Sequence, residues 1–267
     1  MIKVDKELVT PEYFPDGTLN LKLPSGYSNI SVDIRWKFDN NEELIILMYL
    51  VYHLRDKGIA NINLIMNYLP NARMDRTKSF YEVFTLKYFC NIINSLNFNK
   101  VYVLDAHSNV GVALLNRVVN SNPLGLIMRA YADVTKIENE SPSIFYPDEG
   151  AMKRYSDLIN TDCCFGIKNR DWETGRILGL DIQGNLDLIK DKNVLIIDDI
   201  CSKGGTFYHS AKKLKELGAK NIYLYVTHCE DTIFKGELLT NENADLIKKI
   251  YTTDSLLTLR HDKIQIV

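Results

Sequence analysis

The chain has 267 residues, 46% of them hydrophobic, which is enough to bury one large core or two modest ones. Its formal net charge is −2 and its basic residues are scattered, so the composition argues against a nucleic-acid partner. The first residues lack an apolar signal region, no run approaches the ~18 apolar residues that span a bilayer, and the five cysteines form no C-x-x-C pair. We therefore expect a cytoplasmic protein with free thiols and no membrane association.

Strands and helices alternate along the first half of the chain. A half-buried strand is predicted for ISVDIRWKF, with one face formed by Ile30, Val32, Ile34, Trp36 and Phe38. A helix closed by Gly58 is predicted for LIILMYLVYHLRDKG, and strands are predicted for INLIMNYLP and KVYVLDAHS. Between those strands a second helix is predicted for SFYEVFTLKYFCNIINSL, from the spacing of Phe80, Val83, Phe84, Leu86, Tyr88, Phe89, Ile92 and Ile93.

The alternation continues in the second half. Strands are predicted for PSIFYPDEG, DCCFGIKNR, NVLIIDDI and NIYLYVTH, and helices from about Ala151 and over GTFYHSAKKLKELGA. Repeated β-α-β units predict an α/β fold of two similar doubly wound domains with mostly parallel sheets. The pattern is interrupted between residues 120 and 140 by NSNPLG and the polar DVTKIENESPS, so we place the domains at residues 1–130 and 131–267.

Residues 194–207, VLIIDDICSKGGTF, combine an apolar strand, two adjacent acids, two adjacent glycines and the start of an amphipathic helix. In open α/β sheets ligands bind at the carboxyl ends of strands, where Asp198 and Asp199 fall. Carboxylates suit the vicinal hydroxyls of a ribose, from which they accept hydrogen bonds. Gly204 and Gly205 would present the N–H groups of a helix start to a phosphate. These N–H groups would form a phosphate-binding cradle, to which three further residues would add donors: Ser202, Lys203 and Thr206.

The same stretch resembles the 5-phosphoribosyl binding motif of the type I phosphoribosyltransferase fold. Phosphoribosyltransferases share this motif with the ribose-phosphate diphosphokinases, the PRPP synthetases. The segment NARMDR resembles the ARQDR segment of PRPP synthetases, which implies that Arg73 and Arg76 contact the ATP phosphates; Met74 stands in place of the usual glutamine. The segment VLDAHS resembles the family's DLH segment, which implies that His107 lies by the ATP phosphates and magnesium.

Two segments of the second half resemble the family's magnesium and catalytic segments. The stretch YPDEG is similar to PDxG, which implies that Asp148 serves Mg²⁺ together with His107. An aspartate at a strand-to-helix turn can also be a plain N-cap. The stretch IKNR is similar to the KxR of the catalytic flexible loop, which implies catalytic roles for Lys168 and Arg170.

A further resemblance lies near the start of the chain. The stretch YFPDGT is similar to the FSDGE loop, which in the family reaches into the ATP site of a neighbouring subunit. The resemblance implies that Phe14 stacks on adenine and that Asp16 bonds its exocyclic amine, with Thr18 in place of the glutamate. It therefore also implies a homo-oligomer with the ATP site at a subunit interface.

The resemblance implies a Mg²⁺-dependent transfer of the β,γ-diphosphoryl group of ATP to the anomeric hydroxyl of ribose 5-phosphate, giving PRPP and AMP. Such reactions depend on positioning and charge neutralisation more than on covalent catalysis.

The identity of the acceptor stays open. PRPP synthetases usually have Asp-Thr where this chain has Ser202-Lys203, and the added positive charge could suit a 5-diphosphate acceptor such as ADP-ribose, in NAD salvage. A phosphoribosyltransferase that consumes PRPP is a weaker alternative, because NARMDR, DAH and IKNR would lack a purpose. A non-catalytic regulatory subunit is disfavoured by the presence of Lys168 and Arg170.

Overall fold

The structure, a computed structural model, describes residues 1–28, 30–170, 177–243 and 245–267, without the side chains of residues 168–170, 177–180 and 241. The chain forms two compact units, Met1–Asn122 and Pro123–Val267. Each unit has its own central sheet and its own hydrophobic core.

The first unit is built around a six-stranded sheet. Its elements are β1 (Ile2–Val4), β2 (Glu7–Leu8), β3 (Glu12–Tyr13), β4 (Leu19–Asn20), β5 (Ser31–Trp36), α1 (Glu42–Asp56), β6 (Asn61–Ile65), α2 (Thr85–Ser95), β7 (Lys100–Leu104), α3 (Asn109–Leu114) and β8 (Val118–Ser121). The sheet order is β2-β1-β5-β6-β7-β8, in which β5 to β8 are parallel and β1 is antiparallel to both of its neighbours. Strands β3 and β4 form a separate hairpin.

Strand β5 confirms the alternating pattern, but it is shorter than predicted. Val32, Ile34 and Trp36 are buried in the core of the first unit. Ile30, predicted on the same face, is 79% exposed, so that part of the prediction was wrong. The physical reason is that pairing with β6 begins only at Ser31, and residue 30 precedes the sheet.

Helix α2 also begins later than predicted. Residues 79–84 are not helical, and Phe80 is 96% exposed rather than directed into the core. A turn closes this segment, with the Glu82 N–H donating to the Ser79 carbonyl at 3.3 Å. Aromatic and β-branched residues are weak helix formers, so a chance helical spacing of such residues did not produce a helix here.

The second unit is built around a seven-stranded sheet. Its elements are α4 (Leu124–Glu138), β9 (Ser143–Tyr146), α5 (Glu149–Ile159), β10 (Cys163–Arg170), β11 (Ile177–Gly184), β12 (Val194–Cys201), α6 (Gly205–Glu216), β13 (Ile222–Cys229), β14 (Lys249–Thr252) and β15 (Ile264–Ile266). The sheet order is β11-β10-β9-β12-β13-β14-β15, with every neighbouring pair parallel except the β10–β11 hairpin.

Helix α4 corrects the interpretation of residues 120–140 as an interruption of the pattern. Residues 124–125 and 133–138 of the two interrupting stretches belong to this helix, whose inner face buries Ile127, Ala130 and Val134. The helix ends at Asn139, which has the left-handed φ of 54° that often ends a helix. The helical period was hidden because only one narrow apolar stripe faces the sheet.

Helices cover both faces of the second sheet, and strand β12 contributes to both cores. Val194 and Ile196 pack in the core that α6 covers, whereas Leu195 and Ile197 pack in the core that α4 and α5 cover. The predicted α/β class with mostly parallel sheets is confirmed. Throughout the described ranges, no helix combines the length and the apolar character that a membrane crossing requires.

Candidate active site

The two acids at the end of β12 follow alternating rows of the strand, and their carboxyl groups are close enough to interact with each other. Successive side chains alternate along a strand, so Asp198 continues the row of Ile196 and Asp199 the row of Ile197. Asp199 is buried, whereas Asp198 is partly exposed. The Asp199 N–H donates to Asp198 Oδ1 at 2.9 Å. The adjacent carboxylates are therefore in different surroundings.

Asp199 forms a buried ion pair with Arg154 of helix α5. The Arg154 Nη1 to Asp199 Oδ2 distance is 2.6 Å, and the side chains are 24% and 6% exposed. Sequence reasoning missed Arg154. Its only signal was the helical phase, because it follows the buried Ala151 by three residues and adjoins the buried Tyr155, which places it near the inner face of α5.

Although the residue as a whole is partly exposed, burial of the Asp198 carboxyl raises its pKa well above the ordinary value, and the negative charges of Asp199 and Asp148 and a side-chain hydrogen bond with Asp199 raise it further. The hydrogen bond from the Asp199 N–H opposes this rise. A cation or a pair of hydroxyl donors would favour the ionised form of Asp198. The electrostatics therefore suit a ligand that brings positive charge or hydrogen-bond donors.

Asp148 is the N-cap of α5, as the second interpretation of this aspartate in the sequence predicts. Its Oδ1 accepts from the Ala151 N–H at 3.0 Å. Its charge also acts on Asp198, which places it in the same electrostatic neighbourhood. In the part of the chain that the structure describes, no three His, Cys, Asp or Glu side chains could hold a metal by themselves. A metal at Asp148 would complete its shell with water or with ligand oxygens.

The two glycines after β12 have different structural requirements. Gly204 is the N-cap of α6 with φ +78°, and a Cβ there would lie 2.4 Å from Leu238 Cδ1. At Gly205 a Cβ would meet nothing within 4 Å. Gly204 is therefore needed for the fold, whereas Gly205 leaves open space beside the first N–H groups of α6, which could accommodate an anion.

The Ser202 hydroxyl belongs to a chain of hydrogen bonds that leads away from the cradle. It lies 3.0 Å from Thr232 Oγ1, and Thr232 donates its proton to Glu230 Oε2 at 2.9 Å. Ser202 must therefore donate to Thr232, because a hydroxyl has only one proton. Its predicted donation to a phosphate would require this contact to break. Lys203, the next residue, is exposed.

In the first unit, Arg73 and Arg76 follow strand β6 and are both exposed. Arg76 Nε lies 3.8 Å from Asp75 Oδ1. His107 follows the adjacent strand β7 and is half-buried. These side chains thus belong to loops after neighbouring parallel strands, the edge where α/β proteins bind ligands.

An unusual backbone conformation precedes His107. The buried Asp105 has φ +47°, in the left-handed region that residues other than glycine rarely adopt. Its N–H donates to the Ser121 carbonyl at 2.9 Å, and the Ala106 N–H donates to Asn120 Oδ1 at 3.1 Å. Strained positions of this kind concentrate at functional sites. Asn120, which sequence reasoning did not identify, helps to hold the turn.

Phe14 and Asp16 lie in the turn between β3 and β4. Phe14 is 51% exposed. Asp16 accepts hydrogen bonds from the Thr18 N–H at 2.9 Å and the Thr18 hydroxyl at 2.7 Å, which hold the pKa of Asp16 below its ordinary value. Thr18, in place of the family's glutamate, therefore fixes the Asp16 carboxylate within the turn.

The predicted catalytic residues Lys168 and Arg170 are at the end of β10, where the backbone of residue 168 pairs with residue 180 of β11. Their side chains lie outside the described residues, so their roles remain predictions.

Comparisons with known proteins agree in family and fold. No family model matches the chain. It is 27% identical over 218 residues to the ribose-phosphate pyrophosphokinase of Thermococcus kodakarensis, covering 80% of this chain and 75% of that protein. It is 25% identical over 263 residues to the enzyme of the same name from Sulfurisphaera tokodaii, covering 96% and 87%. The crystal structure of phosphoribosylpyrophosphate synthetase from Mycobacterium smegmatis matches with a TM-score of 0.75 and 17% identity, covering 97% and 85% of the two chains.

Proposed function

Because the chain belongs to the ribose-phosphate pyrophosphokinase family of transferases, we propose that it transfers the diphosphoryl group of Mg-ATP to ribose 5-phosphate. The anomeric oxygen forms a bond to the β-phosphorus of ATP while the bond from that phosphorus to the α,β-bridging oxygen breaks, giving PRPP and AMP. The observation that carries the proposal is the acid pair of β12 leading directly into the open glycine start of α6.

The acceptor would bind in the second unit. Asp198 and Asp199 would accept hydrogen bonds from the ribose hydroxyls, and a phosphate would take the N–H groups beside Gly205. Lys203 and Thr206 would add a positive charge and a hydroxyl. These contacts hold the nucleophilic hydroxyl in one place, which is the main requirement of a phosphoryl-type transfer.

The nucleotide would be held by the residues that the family resemblance identified. Arg73, Arg76 and His107 would orient the triphosphate, and both guanidinium groups are exposed to solvent and suited to phosphate. Lys168 and Arg170 would neutralise charge that develops on the transferring group.

We also propose a homo-oligomer, in which Phe14 and Asp16 of a neighbouring subunit would complete the adenine site. The exposure of Phe14 at the tip of a small hairpin supports this role, because an aromatic ring there can reach a partner. Cytoplasmic location follows from the same proposal, because ATP and a reducing environment for five free cysteines are both found there.

Magnesium fits the carboxylates of the second unit. Asp148 and Asp198 act on each other as like charges, and a divalent cation would offset that repulsion. Asp148 would hold the metal in the second unit, and the role of His107 in the first unit stays as the family resemblance implies. When bound, Mg²⁺ polarises the phosphate oxygens and offsets their charge.

ADP-ribose is a second candidate acceptor, in a reaction that would serve NAD salvage. The observation that favours it lies in the cradle, where Ser202 is engaged with Thr232 and the neighbouring exposed cation is Lys203. A cradle with added positive charge could suit a diphosphate in place of a monophosphate.

The test is incubation of the purified chain with Mg-ATP and each acceptor in turn, with AMP and products measured by mass spectrometry. We expect AMP only when an acceptor is present, with PRPP from ribose 5-phosphate. Faster turnover of ADP-ribose would replace the first acceptor with the second. No AMP with either acceptor would contradict the proposed function and favour a phosphoribosyltransferase or a non-catalytic subunit. The Asp198→Asn variant serves as the control for nonspecific ATP breakdown.

A further inference from the structure

The ion pair between Arg154 and Asp199 joins helix α5 to the end of strand β12. Asp199 shares a face with Leu195 and Ile197, which pack beneath α4 and α5, whereas α6 covers the other face. Arg154 contacts one acid of the pair, with 2.6 Å between Arg154 Nη1 and Asp199 Oδ2.

The charges around this position explain the need for a cation. The negative charges of Asp199 and Asp148 both act on Asp198. Arg154 is paired with Asp199, the more buried carboxylate of the acid pair. Removing a cation from beside a buried carboxylate is unfavourable, so the loss of Arg154 would favour movement or protonation of Asp199.

The pair also connects two parts of the candidate site. Asp148 caps the start of α5, and Arg154 lies on the same helix. Asp199 is next to Asp198 on β12 and bonds it through its N–H. The ion pair thus ties the helix that carries one candidate ligand residue to the strand that carries the other two.

We infer that Arg154 is a positioning residue for the acceptor, which acts through Asp199 to hold the acid pair of β12 in the geometry that binds the ribose hydroxyls. The inference rests on the proposed function. The opposing view is that the pair only stabilises the fold. In that case its loss would lower stability but leave acceptor binding by the folded protein unchanged.

The test compares Arg154→Gln, Arg154→Lys and the control Lys153→Gln in the full chain. Lys153 is the neighbouring cation on α5, where it forms an exposed pair with Glu149 at 2.8 Å. Binding of ribose 5-phosphate is measured by calorimetry with Mg²⁺ and a non-hydrolysable ATP analogue, and KM values are measured for both substrates. We expect Arg154→Gln to weaken ribose 5-phosphate binding about tenfold or more, with the KM for ATP within about twofold of the parent. Arg154→Lys should recover only part of the loss, because the ammonium keeps the charge but not the geometry of the guanidinium group, and Lys153→Gln should behave as the parent.

Two comparisons make the result decisive. In an Asp199→Asn background, Arg154→Gln should have little further effect on acceptor affinity, because the residue through which it acts is already changed. An equal loss in both backgrounds, or parental affinity in folded Arg154→Gln, would overturn the inference. If Arg154→Gln does not fold, Arg154→Lys decides: affinity below the parent with ATP unaffected supports the inference, and parental affinity overturns it. A parent that binds ribose 5-phosphate but releases no AMP would contradict the proposed reaction while leaving this binding comparison intact.

Discussion

The Ser202 and Thr232 hydroxyls lie 3.0 Å apart, and through this contact the loop after β13 braces the loop after β12. We expect Thr232→Val, which keeps the shape of the side chain, to raise the KM for the acceptor about fivefold. The reason is that one hydrogen bond contributes about 1 kcal/mol, and Glu230 would also lose its donor. Thr240→Val is the matched control, because Thr240 makes a similar bond to the Glu237 carbonyl at an exposed position. Equal kinetics of both variants and the parent would show that the brace has no role in binding.

Gly204 and Gly205 should respond differently to the same substitution. Gly204→Ala combines a left-handed φ with a clash against Leu238, and we expect it to lower the free energy of unfolding by roughly 2–4 kcal/mol. Gly205→Ala meets no atom and should leave the stability unchanged or slightly higher. It should nevertheless weaken acceptor binding, because its methyl group enters the space proposed for the phosphate. Urea denaturation and acceptor KM values check both; a stable Gly204→Ala or a Gly205→Ala with parental KM would be inconsistent with this account.

Asp198 should lower stability at neutral pH. Its pKa is raised in the folded state, so the folded protein holds this proton more tightly than the unfolded chain does. The free energy of unfolding therefore falls as the pH rises from the ordinary value of 3.8 through the raised pKa. We expect Asp198→Asn to be more stable than the parent at pH 7, to gain less near pH 4, and to lose acceptor binding.

Asp199→Asn provides the contrast, because it removes the charge of the carboxylate that is paired with Arg154. We expect this variant to lose on the order of 1–3 kcal/mol at pH 7. Urea midpoints of the two variants at both pH values make the comparison. A stabilised Asp199→Asn or a destabilised Asp198→Asn at pH 7 would reverse the assigned environments of the two acids.

Lys168 should affect rate more than folding. We expect Lys168→Ala to reduce kcat on the order of 10²–10³-fold or more, as removal of a preorganised charge on a reacting group does, with the thermal midpoint little changed. Lys213→Ala is a suitable control, because Lys213 lies on α6 in an exposed pair with Glu216. Near-normal AMP release by Lys168→Ala would remove Lys168 from the catalytic residues.

Much of the second sheet and the cradle could be predicted, because local chemistry determines them. An apolar run, two acids and a Gly-Gly pair specify β12, its end and the start of α6 with little help from the rest of the chain. Helix α4 was missed because its apolar stripe is narrow and its polar residues look like an interruption of the pattern. Exposed Phe80 shows the opposite error, in which apolar spacing suggested a helix that the backbone does not form.

The partners of the predicted site residues were beyond sequence reasoning. Arg154 meets Asp199, and Thr232 meets Ser202, across separations of 45 and 30 residues that no local pattern encodes. Only the packing of α5 and of the loop after β13 against β12 brings them together. The motif therefore predicted the groups that would face a ligand, whereas the groups that contact them from elsewhere in the chain required the structure.

The central claim is that a diphosphoryl group moves as one unit to the anomeric oxygen, and phosphorus NMR of a complete reaction tests it most directly. With Mg-ATP and ribose 5-phosphate, we predict equal amounts of AMP and of a product with two mutually coupled phosphorus signals, in addition to its 5-phosphate signal. Formation of ADP with a product that carries a second isolated monophosphate would contradict the claim, because a single phosphoryl group would then have been transferred.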